Sequence, residues 1–232
     1  MDWENKVLQE VKWNGEISNR EEKEKIALKL AEKVKNGDVI GFGSGSTSFL
    51  AVHAIAQKIK KENLNIVAIP TSKEIEMLCN SLDIKVESLN KKKPDWSFDG
   101  ADEVSPENWL IKGRGGAMFR EKIIMSCAKE TYILVDDSKF VNKICEKFPI
   151  PVECLPDALF LVKEKLFELG ADTIELRLAK GKDGPIITEN GNYILDVIFT
   201  NVTEGLEKKL KSIVGVIETG LFMGYNITIM KS

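Results

Sequence analysis

The first regular pattern along the chain predicts a helix followed by a buried strand. Ile26, Leu30 and Val34 recur every four residues, which places them on one face of a helix. An Asn-Gly pair at 36–37 is a typical helix stop. The run 38–42 (DVIGF) that follows it predicts a buried strand.

The alternation of helices and strands continues beyond this point. A glycine-rich turn leads to Ser46, where a second helix with an apolar stripe is predicted, and the run 65–69 is strand-like. Thr71 and Glu74 have the spacing of a capping box, which predicts a third helix up to about Ser81. Strands alternating with helices indicate βαβ units, so we expect an α/β domain built on a parallel sheet that is covered on both faces.

The rest of the chain predicts further elements and a second domain. Strands are expected at 83–87, 95–99, 108–112 and 132–135, and a helix at 117–129. After the Pro-rich segment 148–151 we expect a helix at 157–169, a strand at 173–178, a Gly-rich hairpin region, a strand at 193–199 and a helix at 202–212. The last apolar segment, 221–230, is a candidate to rejoin the first sheet. The predicted domains are 1–146 with 218–232, and a small α/β domain at 147–217.

Composition and charge narrow the classes of function. The chain of 232 residues is 43% hydrophobic and 30% charged, which is typical of an ordinary soluble globular protein. Its net charge is −3 with both signs mixed, which argues against nucleic-acid binding. The single histidine, His53, lies in a helical stripe and is expected to be structural, so a Ser-His-Asp triad or a His-rich zinc site is not expected. Carboxylates, lysines and backbone groups therefore have to carry any proton chemistry.

The expected compartment is the cytoplasm. The four cysteines form no C-x-x-C pair, which favours reduced and mostly structural thiols. The polar residues 1–20, with isolated Trp3 and Trp13, lack the apolar core of a signal peptide and predict an arm or a short helix packed on the body. No stretch approaches the roughly 18 apolar residues that span a bilayer, so no membrane partner is expected.

The glycine-rich turn 41–47 is the first candidate for chemistry. It lies between a predicted strand and a helix N-terminus, where free amides and the helix dipole favour an anion. Ser44, Ser46 and Thr47 add hydroxyl donors. The turn lacks the lysine of a P-loop and the third glycine of a dinucleotide fingerprint. Phosphate binding is favoured, and a plain tight turn with a helix cap is the alternative.

Three carboxylates follow a predicted strand in the segment 98–103, FDGADE. Asp99, Asp102 and Glu103 sit where strand ends line a binding crevice in α/β sheets. Mutual repulsion would raise the pKa of at least one of them, as a general acid requires. The alternatives are a solvated acidic turn and a magnesium site.

A second glycine-rich loop lies within the segment 111–124 and leads into a helix. Its amides are candidates for an oxyanion hole, with Lys112 before the loop and Glu121 in the first helical turn. For Arg120 and Lys122 a solvated helix face is favoured over a ligand role. Together the three segments indicate proton transfer on a small phosphorylated molecule.

Six segments resemble ribose-5-phosphate isomerase type A: GFGSGST at 41–47, IPTS at 69–72, FDGADEV at 98–104, IKGRGGAMFREK at 111–122, DDSK at 136–139 and FPIPVECLP at 148–156. The resemblance implies an aldose–ketose isomerase that interconverts D-ribose 5-phosphate and D-ribulose 5-phosphate in the pentose phosphate pathway, without a metal or other cofactor. It also implies a Rossmann-like parallel-sheet domain with a smaller, ferredoxin-like α/β domain inserted before the last strand, in a homodimer or homotetramer.

The resemblance also implies a role for each matching residue. Glu121 would be the general base, Asp99 and Lys112 would assist ring opening and proton traffic, and Asp102 would hold sugar hydroxyls. The implied substrate contacts are Ser44, Gly45, Ser46, Thr47, Asp99, Gly100, Ala101, Asp102, Lys112, Lys139 and the amides of Gly113, Arg114 and Gly115, with Lys23 a weaker candidate.

Two departures and two alternatives accompany this resemblance. The family more often has glycine in place of Arg114 and threonine in place of Ser44, although an amide donor survives at both positions. A non-catalytic sugar-phosphate sensor of related fold is one alternative, but residues 1–20 are too few for a DNA-binding domain. Another isomerase or a CoA-transferase-like enzyme is the other, and the DGAD and KGxGGA segments argue against it.

Overall fold

The structure is a computed structural model, and it describes residues 12, 13 and 15–232. Its six α-helices within this range are α1 (Arg20–Ala31), α2 (Ser46–Glu62), α3 (Lys73–Ser81), α4 (Met118–Cys127), α5 (Leu159–Glu168) and α6 (Leu206–Lys211). Its strands in the first half are β1 (Val39–Phe42), β2 (Val67–Pro70), β3 (Trp96–Gly100), β4 (Glu103–Val104) and β5 (Leu110–Ile111). The later strands are β6 (Thr131–Leu134), β7 (Ile150–Cys154), β8 (Thr173–Leu176), β9 (Tyr193–Ile198), β10 (Val216–Thr219), β11 (Leu221–Phe222) and β12 (Ile227–Met230).

The chain divides into two compact units. The first comprises Met1–Gly100, Ile123–Ser138 and Asn226–Ser232, and the second comprises Ala101–Lys122 and Lys139–Tyr225. The domain limits expected from the sequence stay a prediction. Most of the arm expected at 1–20 lies outside the described residues.

The first unit contains a five-stranded parallel sheet in the order β12-β6-β3-β1-β2. Its core joins α1 and α2 to the sheet through side chains such as Ile26, Ile40, Phe42 and Ile55, which are fully buried. The sequence order of β1 and β2 around α2 is a βαβ unit, so the expected α/β parallel sheet is confirmed. Because the strands run parallel, β1, β2 and β3 present their carboxyl ends at one edge of the sheet.

The second unit contains a separate antiparallel sheet in the order β10-β7-β9-β8. Its elements follow one another as β7-α5-β8-β9-α6-β10, which is the ferredoxin-like arrangement that the resemblance implies. This unit also contains a three-stranded antiparallel sheet in the order β11-β5-β4. The segment from β7 to β11 precedes the last strand, β12, in the chain.

The structure differs from the sequence predictions at several elements. Residues 83–87, expected as a strand, form only an isolated parallel bridge between Val86 and Ala68. No strand is expected across the Pro-rich segment 148–151, and proline has no N–H to donate to a sheet ladder. Instead Ile150–Cys154 forms β7, whose residues are all buried with β9 and β10 on either side, so burial outweighs the lost donor. The helix predicted at 202–212 begins only at Leu206, since Gly205 has a left-handed φ of 87°.

The apolar segment 221–230 divides into two strands that belong to different sheets. Leu221–Phe222 pairs with β5, whereas Ile227–Met230 pairs with β6 and so rejoins the parallel sheet. Gly224, with a φ of 73°, lies in the turn that separates them. None of the helices in the described part of the chain is both long and apolar enough to span a membrane.

Candidate active site

The turn at the carboxyl end of β1 holds Ser44 against Asp99. A Cβ on Gly43 would lie 2.4 Å from Cγ of Asp99 and 2.4 Å from the carbonyl oxygen of Phe98, so only glycine allows the turn after β1 to pass this close to the end of β3. The backbone N–H of Ser44 donates to Oδ1 of Asp99 at 3.2 Å, and the N–H of Gly100 donates to the same oxygen at 2.8 Å. The Asp99 side chain is therefore fixed at the strand ends.

Thr71 lies beside Ser44, although the sequence pattern predicts that it caps α3. The spacing predicts Thr71 as the cap of α3, but the cap is Ser72, whose Oγ accepts from the N–H of Ile75 at 3.3 Å. The Thr71 hydroxyl instead lies 2.6 Å from the hydroxyl of Ser44. Its position directly after β2 is the signal that identifies it, because β2 and β1 are parallel neighbours.

Lys23 is brought to the N-terminus of α2. Its ammonium donates to the hydroxyl of Ser46 at 3.1 Å and lies 3.9 Å from Oδ2 of Asp136, with only 3% of the residue exposed. Burial alone would raise the pKa of Asp136, but hydrogen bonds from Ser138 to its carboxylate outweigh burial and hold the pKa below its usual value. A buried cation thus adjoins Ser46 of the 41–47 turn. Asp136 was not singled out from the sequence.

The second unit contains a buried ion pair between Lys112 and Glu121. Nζ of Lys112 lies 3.2 Å from Oε2 of Glu121, and the two side chains are only 3% and 6% exposed. Lys112 follows β5, and its N–H donates to the carbonyl of Gly220 at 2.9 Å. Glu121 is in the first turn of α4, as expected. Backbone pairing fixes the lysine and the helix start fixes the carboxylate.

The loop 113–116 connects these two groups along the chain. Gly113 has a φ of 92°, and a Cβ there would lie 2.8 Å from Cβ of Met118, so the first residue of the loop has to be glycine. Gly116, with a φ of 84°, donates its N–H to the carbonyl of Gly113 at 3.0 Å. Two left-handed glycines therefore turn the backbone sharply into α4.

Asp102 is held beside this loop by strand pairing. Its N–H donates to the carbonyl of Ile111 at 2.7 Å, in register with the β4–β5 ladder. Its Oδ2 accepts from the backbone N–H of Arg114 at 3.3 Å. Lys139 belongs to the same unit, and both its Nζ and Cζ of Arg114 lie over the ring of Phe148, at 5.7 and 5.6 Å from the centroid.

Similar proteins of known family indicate the chemistry of the residues around Asp99 and of those around Lys112. A family model described as ribose 5-phosphate isomerase A (phosphoriboisomerase A) matches residues 67–231. The chain belongs to the ribose 5-phosphate isomerase A family. This confirms the resemblance found in the six sequence segments.

Individual members of the ribose 5-phosphate isomerase A family are similar over most of their length. The Methanocaldococcus jannaschii protein named ribose-5-phosphate isomerase A is 44% identical over 209 residues, which cover 89% of this chain and 92% of the relative. The solved structure from the same organism has a TM-score of 0.88 at 40% identity and covers 93% and 98% of the two chains. A D-ribose-5-phosphate isomerase solved in complex with phospho-erythronic acid has a TM-score of 0.85 at 39% identity, covering 90% of this chain and 93% of that one.

Two charged residues of the family segments, Glu103 and Lys122, are buried against other protein groups. Glu103, grouped with the acidic segment on its sequence, is fully buried, and its carboxylate accepts the backbone N–H groups of Cys145 and Phe148 at 2.7 and 2.6 Å. Lys122, expected on a solvated helix face, is 5% exposed and is enclosed by Glu207 and Glu218. Across residues 12, 13 and 15–232, no three His, Cys, Asp or Glu side chains gather as a metal site requires.

Proposed function

We propose that the protein interconverts D-ribose 5-phosphate and D-ribulose 5-phosphate through an enediolate. The buried ion pair of Lys112 and Glu121 is the observation that carries this proposal. Moving a proton between C2 and C1 of the open-chain sugar needs a base held in place, and a carboxylate fixed in the first turn of α4 meets that need. Lys112 compensates the negative charge of Glu121 and supplies a proton donor for a sugar oxygen.

The loop 113–116 suits the charge that develops on the sugar. An enediolate gathers negative charge on oxygen, and backbone N–H groups already in position stabilise such charge without reorganising. The loop begins directly after Lys112 and ends before the helix of Glu121. We assign the amides of Gly113, Arg114 and Gly115 to the enediolate oxygen.

The remaining roles follow the family resemblance and the polar groups of each unit. We assign Asp99 to ring opening together with Lys112, and Asp102 to the sugar hydroxyls. The phosphate and hydroxyl contacts proposed are Ser44, Gly45, Ser46, Thr47, Gly100, Ala101 and Lys139, with Lys23 added because it adjoins Ser46.

A ligand of one relative supports the substrate class. Phospho-erythronic acid, held by the relative described above, is a phosphorylated polyhydroxy acid. Its carboxylate places two oxygens on a planar carbon, and an enediolate places its oxygens on planar carbons as well. A site for a phosphorylated sugar intermediate of this kind is expected to bind such an acid.

The test is an isomerisation assay on the purified chain and on Glu121→Gln. Wild-type protein should convert ribose 5-phosphate to the ketose and act far more slowly on allose 6-phosphate and arabinose 5-phosphate. Glu121→Gln keeps the shape of the side chain but removes the base, so kcat should fall by on the order of 10²–10⁴ with little change in KM. Near-normal turnover by this variant would disprove the assignment of Glu121, and sugar binding without wild-type turnover would favour a sensor.

Two further parts of the proposal rest on the family alone. We propose a homodimer or homotetramer that works in the cytoplasm without a metal. Light scattering on the purified protein should therefore give a multiple of the chain mass of 26.0 kDa, and a monomer mass would contradict the oligomer. Activity should survive EDTA, and loss of activity that Mg²⁺ restores would contradict the metal-free reaction.

A further inference from the structure

Arg177 contacts the loop 113–116 from the end of β8. Its Nη1 donates to the carbonyl of Gly113 and to the carbonyl of Arg114, at 2.9 Å in each case. Its Nε donates to Oδ2 of Asp196 at 2.8 Å, and its Nη2 pairs with the other carboxylate oxygen. The geometry points to Arg177 as a positioning residue that orients the amide donors of this loop.

The orientation follows from the planarity of the peptide unit. The carbonyl of Gly113 and the N–H of Arg114 belong to one planar trans unit and point in opposite directions, and so do the carbonyl of Arg114 and the N–H of Gly115. A single guanidinium nitrogen that holds both carbonyls therefore directs both N–H groups away from Arg177. The N–H of Arg114 does point elsewhere, to Asp102 at 3.3 Å.

The loop needs an external restraint because its glycines impose little conformation of their own. Gly113 and Gly116 occupy left-handed φ values of 92° and 84°, and glycine enters this region about as readily as the right-handed one. Within the loop, the N–H of Gly116 donates to the carbonyl of Gly113 at 3.0 Å. Arg177 adds two hydrogen bonds from a separate strand.

Arginine is suited to this contact by its planar fork. The side of the fork formed by Nε and Nη2 matches the two oxygens of Asp196 on β9, which leaves Nη1 for the loop. The Arg177 side chain is only 15% exposed, so its position is well restrained. A lysine has no such fork and cannot hold the carboxylate and both carbonyls in one plane.

This inference rests on the proposed function, since the loop amides matter for catalysis only if they stabilise the enediolate oxygen. Arg177 does not touch the substrate in this scheme. It acts through the loop, so its loss should lower kcat far more than it raises KM. Loss of Arg177 should also weaken the binding of an inhibitor with a carboxylate at the enediolate position more than the binding of inorganic phosphate.

The experiment compares Arg177→Met and Arg177→Lys with the wild type. Displaced amide donors should lower kcat by on the order of 10–10² in Arg177→Met, with KM within about threefold. Inhibition by phospho-erythronic acid should weaken by a similar factor, whereas inhibition by inorganic phosphate should not change. The kcat of Arg177→Lys should lie between the values of the wild type and of Arg177→Met, because the lysine ammonium still reaches a carbonyl.

Val197→Ala is the matched control for loss of stability in the same sheet. Val197 is a fully buried core residue on β9, next to Asp196, so its truncation weakens the sheet without removing a contact to the loop. Its kcat should equal that of the wild type. Unchanged kcat in Arg177→Met, or an equal loss in Val197→Ala, would overturn the inference.

Amide hydrogen exchange separates this inference from the proposed function. If the wild-type chain did not isomerise ribose 5-phosphate, the proposed function would fail, but the loop could still be measured. Exchange at Arg114 and Gly115 should be faster in Arg177→Met than in the wild type and in Val197→Ala. Equal exchange in all three proteins would overturn the role of Arg177 whatever the activity.

Discussion

Replacing Lys122 with methionine should strongly destabilise the second unit. The ammonium of Lys122 lies 2.7 Å from Oε1 of Glu207 and 3.0 Å from Oε1 of Glu218, and it donates to the carbonyls of Thr219 and Leu221 at 2.8 and 2.9 Å. The three charged side chains are between 6% and 13% exposed, so water screens these contacts weakly. Methionine fills a similar volume but leaves both carboxylates without this cation.

The size of the effect follows from what the two carboxylates retain. Removing one partner from a buried ion pair typically costs about 3–5 kcal/mol. Glu218 keeps Lys211 at 3.4 Å, and Glu207 keeps the N–H of Met223 at 2.8 Å and the hydroxyl of Tyr225 at 3.1 Å. These remaining partners place the expected loss at the lower end, at about 3 kcal/mol, which corresponds to a fall in Tm of roughly 6–12 °C.

Thermal and urea unfolding of Lys122→Met measure this loss, and two further variants identify its cause. Lys165→Met removes an exposed ion pair with Glu168 and should change stability by no more than about 0.5 kcal/mol. Glu218→Gln should cost at least about 1 kcal/mol less in the Lys122→Met background than in the wild type, because the two groups interact directly. A loss below about 1 kcal/mol in Lys122→Met would refute the reasoning.

Three further outcomes are expected. Gly43→Ala should cost about 1–3 kcal/mol in chemical unfolding and reduce activity, because the added Cβ collides with Asp99; wild-type stability would contradict the close packing. Burial raises the pKa of the Cys79 thiol to about 12 and that of Cys154 to about 11, so both should react with thiol reagents at pH 8 only after unfolding, which mass spectrometry of labelled peptides would show. Burial, and then the charge of Arg20, lowers the pKa of His53 below 6.5, so the unfolded chain binds this proton more readily than the folded one. The free energy of unfolding should therefore fall as the pH drops through about 6.5, and it should fall less in His53→Gln. Identical dependence of this free energy on pH in the two proteins would contradict the prediction.

Much of the first unit could be predicted from local patterns. Helices and strands alternate with clear periods up to α3, and the turn after β1 requires glycine for a reason that is visible in the structure. The pairing of Lys112 with Glu121 was expected only as proximity to one loop, and the structure adds a contact of 3.2 Å. Thr71 was misassigned because its spacing to Glu74 fits a capping box, whereas the helix begins one residue later and Ser72 is the cap.

The second unit was predicted less completely because its elements depend on distant partners. β7 contains a proline and has no clear period, yet it lies between β9 and β10, which come about 40 and 65 residues later in the chain. No sequence pattern indicates a role for Arg177, since it is a single basic residue at the end of a strand. Its two bonds to the loop 113–116 arise only when β8 pairs with β9 and Asp196 orients the fork.

The sequence by itself therefore determined the alternation of helices and strands up to α3, the glycine positions and the family, because these depend on neighbouring residues or on motifs that remain in order along the chain. Only the tertiary structure decided which charged groups are buried and what each one contacts. The α4 residues Arg120, Glu121 and Lys122 show the difference: they are consecutive, yet one pairs with Glu189 at partial exposure and the other two are buried in separate ion pairs. The free energy of a charged side chain depends on burial and on its partners, and those partners come from distant parts of the chain.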